Sequence, residues 1–155
     1  MENTEKLSFS IAYPGKPEAY ARERTGRGHF YNPKSGKAKL LKEYVAKNMP
    51  KKIRERMKKI IANKDAVYYV SFDLVFLIPI AKSDSKKKRA AKLEGSIRPA
   101  TRPDIDNYLK FVMDALHDVL YDDDKRVTKI SGSKEYGETE VGTTYINVEI
   151  NIIEE

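Results

Sequence analysis

The sequence contains no cysteine in its 155 residues, which excludes disulfide scaffolds, cysteine-ligated zinc and thiol nucleophiles. No apolar run approaches the roughly 18 residues of a membrane span, so no association with a membrane is predicted. The first five residues carry acids and no basic patch before an apolar stretch, which does not fit a signal peptide. The two histidines, His29 and His117, are isolated from any serine that could act as a nucleophile, and we interpret His117 as structural or surface-exposed. We therefore expect a cytoplasmic protein.

Charge is divided unevenly along the chain, although the net charge is only +7. Residues 1–103 hold 25 Lys/Arg and 10 Asp/Glu, a net of +15, whereas residues 104–155 hold 5 Lys/Arg and 13 Asp/Glu, a net of −8. This division suits a metal-dependent enzyme of nucleic acids, because cations neutralise phosphates and carboxylates hold metals. A basic protein with a solvated acidic tail has the same charge distribution, so charge alone leaves both interpretations open.

Hydrophobic periodicity predicts a single α+β domain over residues 1–155, with helices packed on a mixed sheet of about four strands. Alternating apolar residues predict strands at Leu7–Tyr13, Val67–Pro79, Val127–Tyr136 and Thr144–Ile153, the last two as a closing pair. Helical spacing predicts helices at 37–62, interrupted by Pro50, at Asp84–Glu94 with Ser83 as cap, and at Pro103–Leu120. Residues 18–36 are expected to form a long basic loop, which is uncommon in a compact domain and often functional.

Two basic segments are candidates for nucleic-acid binding. The loop carries Arg22, Arg24 and Arg27 among aromatic residues, which can stack on bases or pin the loop to the core. The second segment carries Lys86, Lys87, Lys88 and Arg89, followed by Arg98 and Arg102. This segment leads directly into an acidic motif, and that adjacency favours a DNA-binding role over a merely solvated helix.

The acidic motif begins with Asp104 and Asp106. Two helical residues at this spacing point to opposite sides, whereas in an extended chain they point the same way. We therefore expect both on an extended lead-in, with Asp106 or Asn107 as the helix cap. Paired carboxylates form a hard-oxygen site suited to Mg²⁺ or Mn²⁺, and a cation keeps both ionised. Lys110, four residues after Asp106, can reach a metal-bound phosphate or form an ordinary ion pair along the helix.

A second acidic cluster, Asp122-Asp123-Asp124, follows the helix. If the helix continues to Leu120, it carries these acids about 24 Å from Asp104 and Asp106, at 1.5 Å per residue. The acids can then join the first pair only if the helix ends early or the chain folds back. Without the earlier motif, three consecutive aspartates would indicate a solvated turn.

The motif resembles the signature of the RusA-type Holliday junction resolvases. The matching residues are Arg102-Pro103-Asp104-Ile105-Asp106-Asn107-Tyr108-Leu109-Lys110, Asp114-Ala115-Leu116 and Asp123-Asp124-Lys125-Arg126-Val127. A weaker resemblance extends to Tyr13-Pro14-Gly15-Lys16-Pro17, with Arg22 and Arg24 beyond it. The resemblance implies a homodimeric, magnesium-dependent endodeoxyribonuclease of recombination and repair, which cuts four-way junctions by symmetric paired nicks.

The same resemblance implies that Asp104, Asp106 and Asp124 bind metal and that Lys110 is catalytic. Two residues depart from the family pattern: Arg126 stands where a glutamine is usual, and Asp122 adds an acid, so that Asp123 is a possible substitute for Asp124. Whether Asp124 acts within its own subunit or in the partner is left open. Two other functions also stay open, a non-catalytic protein that binds branched DNA and a nuclease for flaps or other branched substrates.

Overall fold

The sheet is built around one long strand, β4 (Val67–Pro79), both of whose edges are paired in the computed structural model. The structure describes residues 4–22, 24–26, 29–31 and 34–154. The other main strands are β1 (Glu5–Pro14), β5 (Val127–Gly137) and β6 (Thr143–Glu154), and the strand order is β1-β6-β4-β5. Strand β6 runs antiparallel to β1 and β4, and β5 runs parallel to β4. The prediction of a mixed four-stranded sheet in an α+β fold is confirmed.

The last two strands are not neighbours, because β4 lies between them. The segment after β5 carries the chain across the end of β4, and β6 then enters the sheet between β1 and β4. The expected closing pair is therefore two strands on opposite sides of the central one. Strand β6 gains two partners by this route, which suits its run of buried residues Ile146, Val148 and Ile150.

One face of the sheet forms the core, and the helices cover it. Alternate residues of β4, from Val70 through Phe72 and Leu74 to Phe76, are almost completely buried. The other residues of β4 point to the opposite face, where Tyr69 and Asp73 are exposed. This period of two is what a sheet covered on one side requires.

Pro50 separates two helices, α1 (Ser35–Asn48) and α2 (Lys51–Ala62). A proline has no N–H to donate and is tolerated at a helix start, so the second helix begins directly after Pro50. Each helix turns an apolar stripe to the core, Leu41 and Val45 in α1 and Ile53, Met57 and Ile60 in α2. The interruption predicted at Pro50 is thus a restart and not a kink.

Residues 18–36 do not form one continuous loop. A small hairpin lies within them, formed by β2 (Arg24–Gly26) and β3 (His29–Tyr31), and α1 begins at Ser35. Strands of three residues are too short for an alternating pattern to be detected in the sequence.

The helix α3 (Lys86–Glu94) begins two residues later than predicted, because Ser85 and not Ser83 is its cap. The Ser85 hydroxyl accepts a hydrogen bond from the Lys88 amide at 3.2 Å, which satisfies one of the free donors at the helix start. The predicted end is confirmed: Gly95 adopts a left-handed φ of 90°, which glycine reaches without strain.

The helix α4 (Ile105–Ala115) ends five residues before the predicted Leu120. Asp118 adopts a positive φ of 70°, and its amide donates to the Tyr121 carbonyl at 2.8 Å, so the chain turns back. The Tyr121 hydroxyl donates to the Met113 carbonyl and fixes this turn on the helix. Leu116 and Leu120 are nevertheless fully buried, so the apolar stripe correctly predicted burial but extended past the end of the helix.

Candidate functional site

Asp104 and Asp106 lie at the amino-terminal end of α4, and both are exposed. Asp104 is the cap residue with extended backbone, and its carbonyl accepts from the amides of Asn107 and Tyr108 at 3.1 and 3.3 Å. Because those bonds already start the helix, the expected cap at Asp106 or Asn107 was wrong. The expectation that both acids lie on an extended lead-in was also wrong for Asp106, which lies in the first turn of α4. The Asp104 carboxylate makes no capping hydrogen bond. Both acids stand at the positive end of the helix dipole.

A cleft of about 430 Å³ opens beside Asp104. Its lining comes from the segment after β1, from the lead-in to α4 and from α4 itself: Ala19, Tyr20, Lys34, Arg102, Pro103, Asp104 and Asn107. The Lys134 ammonium, from β5, donates to the carbonyls of Thr101 and Pro103 at 2.5 and 3.0 Å, so the sheet holds the lead-in in place. Sequence reasoning missed Lys134, because its partners are backbone atoms more than 30 residues away.

Lys110 does not form the ordinary helical ion pair. Its ammonium lies 3.8 Å from the centre of the Tyr20 ring, in a cation–π contact. Among the described residues, no carboxylate pairs with this ammonium. The Tyr20 amide donates to the Asn107 carbonyl at 2.8 Å, which joins the segment after β1 to the first turns of α4. Tyr20 is therefore a second residue that the sequence motif did not indicate.

The three aspartates of the acidic turn have different surroundings. Asp122 accepts from Arg126 Nε at 3.0 Å and from the Tyr68 hydroxyl at 3.0 Å. The hydrogen bond from Arg126 lowers the pKa of the Asp122 carboxyl, and burial raises the pKa of Tyr68 to about 12. The Asp123 carboxylate caps a short 3-10 helix (Asp124–Arg126) by accepting from the Lys125 amide at 2.9 Å. Asp124 is exposed, and its carboxylate has no bonding partner in the described part of the chain.

The turn brings Asp124 back to the carboxyl-terminal end of α4. Burial raises the pKa of the Asp114 carboxyl, and the charge of Asp124 raises it further. Burial also raises the pKa of Tyr121, with contributions from Asp124 and then Asp114. Asp124 thus lies close enough to Asp114, in the last turn of α4, for their charges to interact. Asp114 is part of the matched motif, but the sequence assigned it no role.

The structure does not bring Asp104, Asp106 and Asp124 together within one chain. Asp106 and Asp114 are separated by about 12 Å along α4, at 1.5 Å per residue. Within residues 4–22, 24–26, 29–31 and 34–154, no three His, Cys, Asp or Glu side chains are grouped to hold a metal ion. Because α4 ends early, the chain folds back onto it. It does so at the carboxyl-terminal end of α4, whereas Asp104 and Asp106 lie at the amino-terminal end.

The seven predicted basic residues whose side chains the structure describes fall into two groups, those without and those with an ion pair. Arg22, Lys86, Lys87, Arg98 and Arg102 are exposed. On α3, Lys88 forms an ion pair with Asp84 at 3.7 Å and Arg89 forms one with Glu138 at 2.5 Å. Arg24 is described only in its backbone, and Arg27 lies outside the described residues.

His117 contacts residues of the turn that ends α4. Its Nδ1 lies 3.2 Å from the Asp118 carboxylate, and its ring meets the edge of Tyr121. Both contacts are made within the turn that ends α4.

The family model of endodeoxyribonuclease RusA matches residues 14–150. The chain belongs to the RusA family. The match runs from the last residue of β1 into β6 and includes the amino-terminal end of α4 and the acidic turn. The RusA family is one of endodeoxyribonucleases, and this supports a nuclease.

A relative is known in Bacillus subtilis (strain 168), the uncharacterized protein YqaN. The two chains are 38% identical over 130 residues, which is 80% of this chain and 84% of YqaN. The similarity therefore extends over most of both proteins. No helix in the described ranges has the length and apolar character needed to cross a membrane.

Proposed function

We propose that this RusA-family protein is a divalent-metal-dependent endodeoxyribonuclease that resolves four-way DNA junctions by symmetric paired nicking, in recombination and repair. The observation that carries the proposal is the state of Asp104 and Asp106. The chain has 30 Lys/Arg residues, yet neither carboxylate receives an ion pair or hydrogen bond from any described residue. By contrast, Asp84, Asp122 and Glu18 are all paired with cations.

Unpaired acids beside a phosphate-binding surface favour catalysis over binding alone. Carboxylates repel phosphates, so a protein that only binds DNA would be weakened by Asp104 and Asp106 next to Arg102. A divalent cation reverses this effect, because it attracts both the carboxylates and a phosphate oxygen. The positions of these acids therefore support the enzyme over the non-catalytic alternative.

The donor set fits magnesium, with manganese as a substitute. Asp104, Asp106 and Asp124 would supply the oxygen ligands, which Mg²⁺ and Mn²⁺ prefer in proteins. When bound, the metal would lower the pKa of a water molecule and stabilise the charge that develops on the phosphate and the leaving oxygen. Because the Asp104 carboxylate makes no capping hydrogen bond to α4, its oxygens are available to bind the metal.

Lys110 is proposed to stabilise negative charge on the transferred phosphate or to assist the leaving oxygen. Its ammonium is not neutralised by a described carboxylate, and it lies one turn beyond Asp106 on the same side of α4. A full positive charge is thus available near the first acidic pair.

A homodimer offers a way for Asp124 to take part. Within one chain Asp124 lies near the opposite end of α4 from Asp104, whereas a second copy can present its own Asp124 to the first pair. Two copies also match the approximate two-fold symmetry of a four-way junction, which paired nicking requires. We therefore propose that each site combines Asp104, Asp106 and Lys110 of one subunit with Asp124 of the other.

DNA contacts are proposed for the exposed cations Arg22, Lys86, Lys87, Arg98 and Arg102, which can neutralise phosphates without first breaking an ion pair seen in the structure. Lys88 and Arg89 belong to the same surface, but their pairs with Asp84 and Glu138 must be exchanged for phosphate. Arg24 and Arg27 remain proposed contacts on the basis of the sequence.

The proposal is tested with a synthetic four-way junction incubated with Mg²⁺ and either the wild type, Asp104→Asn or Asp106→Asn. The wild type should make paired symmetric nicks, and both variants should bind the junction without cutting it. Binding without cutting by the wild type, in both Mg²⁺ and Mn²⁺, would contradict the enzyme. Equal cutting of linear duplex would contradict the preference for junctions, and faster cutting of flaps would favour that substrate.

A further inference from the structure

We propose that Tyr20 is a positioning residue for Lys110, and that its ring keeps the ammonium available for the phosphate instead of the neighbouring carboxylates. The inference rests on the proposed function, since it assumes that Lys110 acts on the scissile phosphate. It goes further by assigning a role to a residue outside the acidic motif.

The position of Lys110 on α4 makes ion pairing the expected outcome. Asp106 precedes it by four residues and Asp114 follows it by four, so both carboxylates stand next to it on one helix face. The lysine nevertheless has its ammonium over the Tyr20 ring at 3.8 Å, with no carboxylate within ion-pair distance among the described residues. The ammonium therefore lies over the ring and not in an ion pair, although its charge still acts to lower the pKa of the Asp114 carboxyl.

A tyrosine ring holds an ammonium without cancelling its charge. The ring attracts the cation through its quadrupole and carries no formal charge of its own. An ion pair with Asp106 would instead neutralise Lys110 and occupy a proposed metal ligand. The cation–π contact leaves both groups free for the phosphate and the metal.

The ring is held in place by the segment that carries it. The Tyr20 amide donates to Asn107 in α4 at 2.8 Å, and the Glu18 carboxylate bonds the ammonium groups of Lys34 and Lys37 at 2.5 and 2.8 Å. Burial raises the pKa of the Glu18 carboxyl, but the hydrogen bonds from these two lysines outweigh it and lower the pKa. The carboxylate therefore remains charged. At the start of the segment the Gly15 amide donates to the Gly142 carbonyl at 3.0 Å.

The end near Gly142 tolerates no side chain. Gly142 has a φ of 128°, and a Cβ there would lie 2.7 Å from Pro17 Cδ. Residues 15–20 are thus fixed to the loop before β6, to the start of α1 and to α4. Since the three attachments belong to different parts of the fold, the ring keeps its place when the lysine moves.

The experiment compares Tyr20→Phe, which keeps the π face, with Tyr20→Leu, which removes it. Tyr145→Leu is the matched control, because Tyr145 is exposed on the far face of the sheet. Single-turnover cutting of a four-way junction is measured with saturating enzyme and Mg²⁺, and junction affinity is measured in Ca²⁺. We expect Tyr20→Leu to cut about tenfold more slowly, which corresponds to about 1.4 kcal/mol, while its affinity stays nearly unchanged. Tyr20→Phe and Tyr145→Leu should cut at close to the wild-type rate.

A second readout does not require activity. In NMR spectra of protein with ¹³C-labelled lysine, the Lys110 ε-methylene protons should be shifted upfield by the aromatic ring in the wild type and in Tyr20→Phe. The shift should disappear in Tyr20→Leu. Assignment is made with Lys110→Arg.

The outcomes separate this inference from the proposed function. If the wild type cuts junctions and Tyr20→Leu cuts equally fast, the positioning role is overturned and the nuclease stands. A weaker junction affinity with an unchanged cutting rate would assign Tyr20 to DNA binding instead and would also overturn it. Equal impairment of Tyr20→Phe would assign the role to the hydroxyl. If the wild type cuts no DNA, the proposed function fails, and the absence of an upfield shift would still overturn the placement of Lys110.

Discussion

Arg126 donates from Nε to the carboxylate of Asp122 at 3.0 Å, and its guanidinium lies 4.3 Å from the centre of the Tyr68 ring. Arg126 and Asp122 are the two residues that depart from the family pattern, and they form an ion pair with each other. Arg126 also donates to the Ala66 carbonyl at 3.0 Å, so the pair joins the acidic turn to the start of β4. The extra acid is therefore accounted for by a structural pair, and a metal-binding role is not needed to explain it.

Loss of one member of this pair should destabilise the fold. We expect Arg126→Leu to lower the free energy of unfolding by about 1–3 kcal/mol, because the partly buried Asp122 and the Ala66 carbonyl lose their donor. Asp122→Asn should cost less, since an amide can still accept from Arg126. Urea denaturation of both variants and of the double variant measures the coupling. Additive effects would show that the two residues act independently.

The same pair predicts a dependence on acid. The folded pKa of Asp122 lies below its unfolded value, so its stabilisation is fully present above the unfolded pKa and is lost as the pH falls through the folded pKa. Between neutral pH and about pH 3, wild type should therefore lose more stability than Asp122→Asn. Unfolding midpoints in urea measured across this range provide the test. Parallel curves for the two proteins would be the contrary result.

Asp124 and Asp123 should respond differently to substitution. Asp124→Asn is expected to reduce junction cutting by at least about 100-fold, because a proposed metal ligand is lost. Asp123→Asn keeps a side-chain oxygen that can accept from the Lys125 amide, and it should cut at close to the wild-type rate with nearly unchanged stability. Single-turnover rates in Mg²⁺ distinguish them. The reverse order of effects would make Asp123 the ligand.

Mixed dimers test whether Asp124 acts across the subunit boundary. In a heterodimer of Asp106→Asn and Asp124→Asn chains, a shared site would leave one complete active site and one doubly defective site. The heterodimer, purified by a different tag on each chain, should then nick one strand of the junction without the paired second cut. If each site is built within one subunit, both sites are defective and no nick appears.

The exposed lysines at the start of α3 should contribute to affinity and not to chemistry. Lys86→Ala with Lys87→Ala is expected to weaken junction binding and to reduce the slope of log affinity against log salt by about 1.8, at 0.9 per phosphate contact. Lys51→Ala with Lys52→Ala, an adjacent exposed pair on α2, is the matched control. Binding titrations at several salt concentrations give both slopes. Equal slopes for the two variants would remove α3 from the DNA surface.

The long elements of this fold were predictable from sequence. Strand β4 was placed at its exact bounds, because a long run of alternating apolar residues between turn residues gives a strong signal. The division of the helical region at Pro50 was correctly predicted, since proline interrupts a helix through its own backbone chemistry. The end of α4 was not predictable, because Leu116 and Leu120 keep helical spacing while the chain has already left the helix. The contacts of Tyr121 with Asp118 and Met113 show why the chain turns there.

The candidate site was only partly predictable. The motif placed Asp104 and Asp106 at the start of α4, where both lie, but it predicted an extended backbone at Asp106, which is helical. Tyr20 and Lys134 could not be found in this way, since each reaches α4 or its lead-in from a distant part of the chain. The spacing of Asp122, Asp123 and Asp124 also could not separate their roles. Their contacts separate them: Asp122 accepts from Tyr68 and Arg126, Asp123 accepts from the Lys125 amide, and the Asp124 carboxylate has no partner among the described residues.

The parallel pairing of β4 with β5 has a consequence for how the protein folds. Residues 80–126, which connect these strands, contain α3, α4 and the acidic turn, so the four proposed catalytic residues all lie within one loop closed by that pairing. Closing a long loop costs entropy before its contacts form, and such steps slow folding. In a chain whose β5 has not yet joined the sheet, the four proposed catalytic residues are therefore present, but the site that they form is not yet assembled. Recovery of cutting after dilution from urea should accordingly coincide with this long-range step, later than the return of helical signal.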